Sequence, residues 1–252
     1  MNRYLLIFAI SLSVISGCDT QKNTEVARPV QADKAVDDAI HQLTLSYYQQ
    51  VPESATYNGA PEELTSAADA RLNDRAIAGN KTRTTEMEKR LAELKATSTD
   101  GLDDERRRDR ASLIALFDGA LGPSRVADYG TSFDEYGIWY LPYAINQNSG
   151  PTVSIPKLME AQQLVRNAAE AQEYLDRLNA FSRILDGSLA KLQHDVVLGA
   201  IPPDFIINKS KAVVDAFAAV PAKNNALYSS FVSKLKAANV PNADSFAAKA
   251  LT

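Results

Sequence analysis

One cysteine, two histidines and one band of aromatic and amide side chains are the residues of this chain best suited to chemistry. Cys18 is the only thiol, so no second cysteine is present for a disulfide, a redox pair or a thiolate metal site. His41 and His194 stand far apart, and neither belongs to a His-Glu-x-x-His arrangement or a relative of it. A zinc site takes roughly three or four converging ligands, which two histidines and scattered carboxylates do not specify. His194, between Gln193 and Asp195, reads as a surface or capping histidine, and His41 as a neighbour of its helix's apolar face. The paired acids Asp37-Asp38 and Asp103-Asp104 sit near helix starts, where the macrodipole favours negative charge without any catalytic role. No Gly-x-Ser-x-Gly elbow, phosphate-binding glycine loop or dinucleotide fingerprint occurs. The residues therefore assign no catalytic group and no metal ligand.

Residues 129–151 hold the only tryptophan, Trp139, among Tyr129, Phe133, Tyr136, Tyr140 and Tyr143, followed at once by Asn146-Gln147-Asn148-Ser149-Gly150-Pro151. Rings beside side-chain amides can line a cleft for peptides or sugars. The candidate binding residues are Trp139, Tyr140, Tyr143, Asn146, Gln147 and Gly150. The same residues can instead plug a helical core, with Asn146 and Gln147 satisfying backbone groups in a tight loop. Residue types alone favour that second reading.

The start of the chain is a targeting segment. Arg3 precedes an apolar run over residues 5–14, and Ile15-Ser16-Gly17-Cys18 ends it with small residues before the cysteine. The run is too short to span a bilayer, which takes about 20 residues. The four residues resemble the lipobox of bacterial lipoproteins. That resemblance implies cleavage before Cys18, acylation of its sulfur and new amino terminus, and attachment to the extracytoplasmic, periplasmic face of a bacterial cell membrane. Several acyl chains on one residue anchor stably, since each buried methylene contributes about 0.8 kcal/mol.

The 252 residues suffice for one sizeable domain or two small ones, and 45% hydrophobic with 23% charged is the composition of an ordinary soluble globular protein. Removing residues 1–17 removes Arg3 alone among the charged side chains, taking the net charge from −4 to −5. A mildly acidic surface argues against a nucleic-acid partner. The one basic cluster, Arg106-Arg107-Arg108, is interleaved with Asp103, Asp104, Glu105 and Asp109 and reads as a solvated helix start.

Three segments must position the candidate residues: a signal peptide over 1–17, a polar flexible tether over 18–32 and a helical domain over 33–252. Ala35, Ile40, Leu43 and Tyr47 mark one face of a first helix that Pro52 ends. A turn-rich stretch over 52–61 is predicted next, then helices over 62–78 and 85–94, the latter opened by a capping box of Thr85 and Glu88. A helix over 102–121 packs on Leu113, Ile114, Leu116, Phe117 and Leu121 and stops at Gly122-Pro123. The longest helix spans 168–198, capped by Asn167, with Ala171, Tyr174, Leu178, Phe181, Leu185, Leu189, Leu192 and Val196 facing inward. Helices over 205–219 and 224–238 follow, the second with a stripe of Leu227, Phe231 and Leu235. Period-two alternation is scarce, so the fold class is all-α: a multi-helix domain with an irregular aromatic-rich loop and no substantial β-sheet. A last helix from Asn242 runs to Thr252 with no cap, glycine or polar tail, which reads as a frame cut short or a domain whose remainder lies elsewhere.

Several motifs, taken in order, resemble one family. They are Pro52-x-x-Ala55-Thr56-x-x-Gly59, the Asn73-Asp74 region, Asn146-Gln147 with Gly150, and Ile155-Pro156-Lys157-Leu158. Glu170-x-x-Glu173-Tyr174-Leu175-x-Arg177-Leu178 and Gly199-x-Ile201-Pro202-Pro203 complete the series. Together, over roughly residues 40–245, they are similar to the bacterial domain-of-unknown-function family 885. Its members resemble mostly helical zinc metallopeptidases and are often exported as lipoproteins. The resemblance implies that zinc belongs to a C-terminal half whose His-Glu motif has no counterpart here, so this chain carries no cofactor of its own. On this reading the chain is the non-catalytic N-terminal part of a peptidase-like lipoprotein, its partners the membrane and a C-terminal catalytic half. The alternative is a self-sufficient helical lipoprotein that binds a peptide or another partner.

Overall fold

The computed structural model describes residues 30–251 apart from 66 and 135. The signal segment, Cys18 and most of the tether lie outside the described residues. Helices dominate, as the apolar periodicity requires, and among the described residues the sheet is one two-stranded hairpin.

Helix α1 (Val30–Gln50) turns Val36, Leu43, Tyr47 and Tyr48 inward; Val36 takes the place expected for Ala35, which is exposed. Pro52, lacking an N–H, cannot extend α1, but its fixed φ starts a second helix. Thus residues 52–57, expected as turn, form α2 (Pro52–Tyr57). The helix expected over 62–78 is broken into α3 (Glu62–Thr65), a 3-10 turn (Ala68–Ala70) and a non-helical passage to α4 (Ile77–Ala96). Tertiary hydrogen bonds are the reason. Arg177 donates to the carbonyls of Ala68 at 2.8 Å and Arg71 at 2.8 Å, and Glu53 accepts from the Asn73 N–H at 2.8 Å. Those contacts hold the Arg71 carbonyl and the Asn73 N–H outside a helical ladder, while the Ala68 carbonyl also closes the 3-10 turn by accepting from the Arg71 N–H at 3.0 Å. Thr85 lies inside α4 rather than capping it.

Helix α5 (Asp104–Leu121) opens on Asp103, whose carboxylate accepts from the Arg106 N–H at 2.8 Å, and closes at Gly122-Pro123 as predicted. Leu116, expected to pack inward, is exposed. Strands β1 (Thr131–Phe133) and β2 (Ile138–Leu141) pair antiparallel, Thr131 opposite Leu141 and Phe133 opposite Ile138, with a bulge between. Helix α6 (Pro151–Ala161), absent from the expected elements, has Pro151 in its first turn and tolerates Pro156 within. Helix α7 (Ala168–Val197) is capped by Asn167, which accepts from the Glu170 N–H at 3.0 Å. Helices α8 (Asp204–Ala219), α9 (Ala226–Ala237) and α10 (Ala243–Lys249) complete the chain.

Two apolar clusters form. The first gathers Leu43, Tyr47, Met87, Leu91, Phe117 and Phe133 from α1, α4, α5 and β1. The second gathers Ile155, Met159, Tyr174, Phe181, Phe231 and Leu235 from α6, α7 and α9, with Tyr174 stacked on Phe231 at 4.4 Å. The Leu227–Phe231–Leu235 stripe is buried as its spacing predicts. The later half of α7 is not. Its buried face runs through Ile184, Ser188, Lys191 and Asp195, which leaves Leu189 and Val196 exposed.

Candidate functional site

A polar seam joins the two clusters, and a small cavity lies in it. Glu53, fully buried, accepts from Arg75 Nη1 at 2.6 Å and Nη2 at 2.7 Å. Farther along, Lys191 pairs with Asp195, whose other oxygen accepts from the Gly130 N–H at 3.1 Å. Gly130 has φ +74, and a Cβ there would stand 2.5 Å from the Leu141 carbonyl, so only glycine lets the loop lie this close against β2. Asn80, on α4, donates to the Gly130 carbonyl at 3.1 Å and accepts from Thr131 at 3.0 Å and Arg83 at 2.9 Å. Enclosed by these groups is a cavity of about 40 Å³, lined by Arg75, Arg83 and Lys191 and by the apolar side chains of Phe133, Leu141 and Ile145.

Of the six candidate residues in the aromatic segment, only Gly150 lines this cavity. Trp139 lies on β2, 44% exposed, and its indole N–H donates to Asp134 at 3.2 Å. Its ring packs against Gly137, where a Cβ would come within 2.5 Å of it. Asp134 also accepts from the N–H groups of Tyr136 and Gly137, and burial still holds its pKa above the ordinary value. The Tyr140 hydroxyl donates to the Tyr129 carbonyl at 2.6 Å; burial pushes its pKa up to about 12. Asn146 folds its own loop, accepting from the N–H groups of Asn148 at 2.8 Å and Ser149 at 3.1 Å. The buried Gln147 Oε1 has no hydrogen-bond partner. Tyr143 is half-buried, and Gly150 stands before α6 at φ +121. Tyr140 and Asn146 thus serve the loop itself. Trp139 alone among the six presents a large exposed ring.

The resemblance implies zinc, and the donors here do not fit it. Among the described residues no three His, Cys, Asp or Glu side chains converge. His41 is exposed on α1. His194 directs Nδ1 to Asp195 at 3.2 Å and Nε2 to Asp128 at 3.5 Å. Asp195 is already engaged through both oxygens, by Lys191 and Gly130, so it could join a metal at His194 only by giving up one of these contacts.

The cavity residues escaped sequence reading because Arg83 and Lys191 look like surface cations. The signal that could have found Arg83 is its helical spacing in α4, in line with Gly79, Met87, Leu91 and Leu94, all buried.

A second surface feature lies at the end of α7 and along α8. Val197 is 85% exposed and Phe205 60%, with Leu189, Leu198, Ile201 and Ile207 exposed beside them in sequence. No residue of α8 is buried. Among the described residues no helix is long and apolar enough to cross a membrane.

A family described as "Bacterial protein of unknown function (DUF885)" matches residues 52–252. The crystal structure of the "putative lipoprotein" from Colwellia psychrerythraea shares the fold, with a TM-score of 0.78 at 17% identity. The match covers 87% of this chain and 38% of that one, so this chain spans well under half of that protein's length. No curated protein matches.

Proposed function

We propose, from the premise that the chain belongs to the DUF885 family of bacterial proteins of unknown function, that it is the helical, non-catalytic part of a longer peptidase-like lipoprotein. Lipid on Cys18 holds it at the extracytoplasmic face of the bacterial membrane. A second, zinc-bearing half packs against it, and together they enclose a substrate cleft of which this part forms one wall.

The observation that carries the reading is the apolar surface at the end of α7 and along α8. A helix that presents Phe205 and Ile207 to solvent, with Val197 and Leu198 just before it, is amphipathic toward something outside the described residues. Exposed apolar surface beyond a few hundred Å² is the mark of a protein–protein contact. The length of the Colwellia psychrerythraea protein leaves ample chain for such a half.

Paired substitutions test this. The chain from residue 19 should self-associate through the uncovered face, and Val197→Ser with Phe205→Ser should render it monomeric without loss of helix. Self-association untouched by the pair would move the contact elsewhere and remove the support for a docked half. The competing reading, a self-sufficient peptide binder, draws on exposed Trp139 and predicts that these substitutions change nothing.

A further inference from the structure

We propose that the cavity between α4, α7 and the 129–150 loop binds a carboxylate on a short apolar stem, with Arg83 as its principal partner. Three cations line the cavity, and two already have carboxylates: Arg75 has Glu53 and Lys191 has Asp195. Arg83 is different. Its side chain is 3% exposed, and it donates only to neutral oxygens, the Asp74 carbonyl at 3.0 Å and Asn80 Oδ1 at 2.9 Å. Its Nε is buried with no hydrogen-bond partner.

Asp134 is the one carboxylate lining the cavity, and its oxygens accept from Tyr136, Gly137 and Trp139 instead. Asp74 and Glu53 act on Arg83 through space, but no carboxylate hydrogen-bonds it, and a buried cation without such a contact is costly. Burial and then the neighbouring Arg75 push the Arg83 pKa down to about 10 against the opposite pull of Asp74 and Glu53, which still leaves it charged at neutral pH.

Size and wall chemistry select the ligand. A water needs about 10–15 Å³ on this measure. A cavity of about 40 Å³ therefore admits one carboxylate-sized group. A guanidinium fork matches a planar carboxylate in bidentate geometry. Phe133, Leu141 and Ile145 suit an alkyl stem behind it. The carboxylate can come from a free short-chain acid or from a peptide C-terminus. The assignment rests on Arg83 and holds whether or not the α7–α8 face is covered.

The test is NMR titration of the full chain in detergent, following the Arg83 Nε–H resonance. Propionate and trialanine are the charged probes; propionamide and trialanine amide are their neutral counterparts. At least one charged probe should shift the resonance saturably while its neutral counterpart does not. Response to propionate alone identifies a free acid, response to trialanine alone a peptide terminus, and response to both the shared carboxylate. Arg83→Gln, followed through the Asn80 side-chain amide resonances because the Arg83 signal is lost, should weaken binding about tenfold or more, as loss of a charge-assisted hydrogen bond does. Ala144→Leu, which fills the cavity and leaves Arg83 in place, should block it without touching the charge. No saturable shift from either charged probe, equal response to the amides, or binding unchanged in Ala144→Leu overturns the proposal.

Discussion

The Arg177 guanidinium donates to the Thr56 hydroxyl at 2.6 Å across 121 positions, tying α7 of the second cluster to α2 of the first. The same side chain reaches the carbonyls of Ala68 and Arg71 and the Gln163 amide, and it is fully buried. Both residues belong to the motifs that carry the family resemblance. Their role here is architectural, holding the 68–73 passage in its non-helical course.

Arg177→Met should therefore destabilise the domain by about 3 kcal/mol or more, since several buried acceptors lose their donor together. Arg177→Lys should recover little, because an ammonium cannot reproduce the planar fork. Urea denaturation checks both. A loss below about 1 kcal/mol, the net worth of one ordinary hydrogen bond, would show that the clamp is dispensable.

What the sequence disclosed and what it concealed follow from where the determining contacts lie. The α9 stripe, the Asn167 cap and the Gly122-Pro123 stop are local, and each stands as predicted. The 62–76 stretch looked helical because its competing partners, Arg177 and Glu53, are remote in sequence. On α7, period 3.6 continued the apolar line through Leu189 and Val196. The folded chain instead buries Ser188, Lys191 and Asp195, whose partners sit on the Gly130 loop and on α7 itself. A buried charge is invisible to hydrophobic patterning until its partner is known, which is why the cavity went unread.

Alkaline pH should unfold the protein through its buried tyrosines. Desolvation raises the Tyr47 pKa well above the usual 10.0 and that of Tyr174 to about 12. Because the folded pKa values lie above the unfolded one, the stability these groups lend is full below pH 10 and lost as pH rises toward 12. Each such group adds up to about 1.4 kcal/mol per pH unit to the slope, and Tyr48 and Tyr140 are shifted in the same direction. Tyrosinate absorbance should show the buried Tyr47 and Tyr174 ionising only together with loss of helix, after the more exposed tyrosines. Ionisation of all ten with helix intact would contradict it.

Cys18→Ala should abolish uptake of labelled palmitate and leave an uncleaved or soluble precursor. Cys18 lies outside the described residues, so the anchor rests on the Ile15-Ser16-Gly17-Cys18 signal. Membrane retention of the variant at the wild-type level would remove the lipoprotein assignment.

Sedimentation velocity tests the central claim most directly, using the soluble chain from residue 19 alone and mixed with the C-terminal half of a longer relative. The chain alone should associate and melt broadly, and the mixture should give a one-to-one complex with a sharper, higher transition. A stable monomer with a cooperative transition, unchanged by the added half, would mean that the domain is complete by itself and that the α7–α8 face covers no second half.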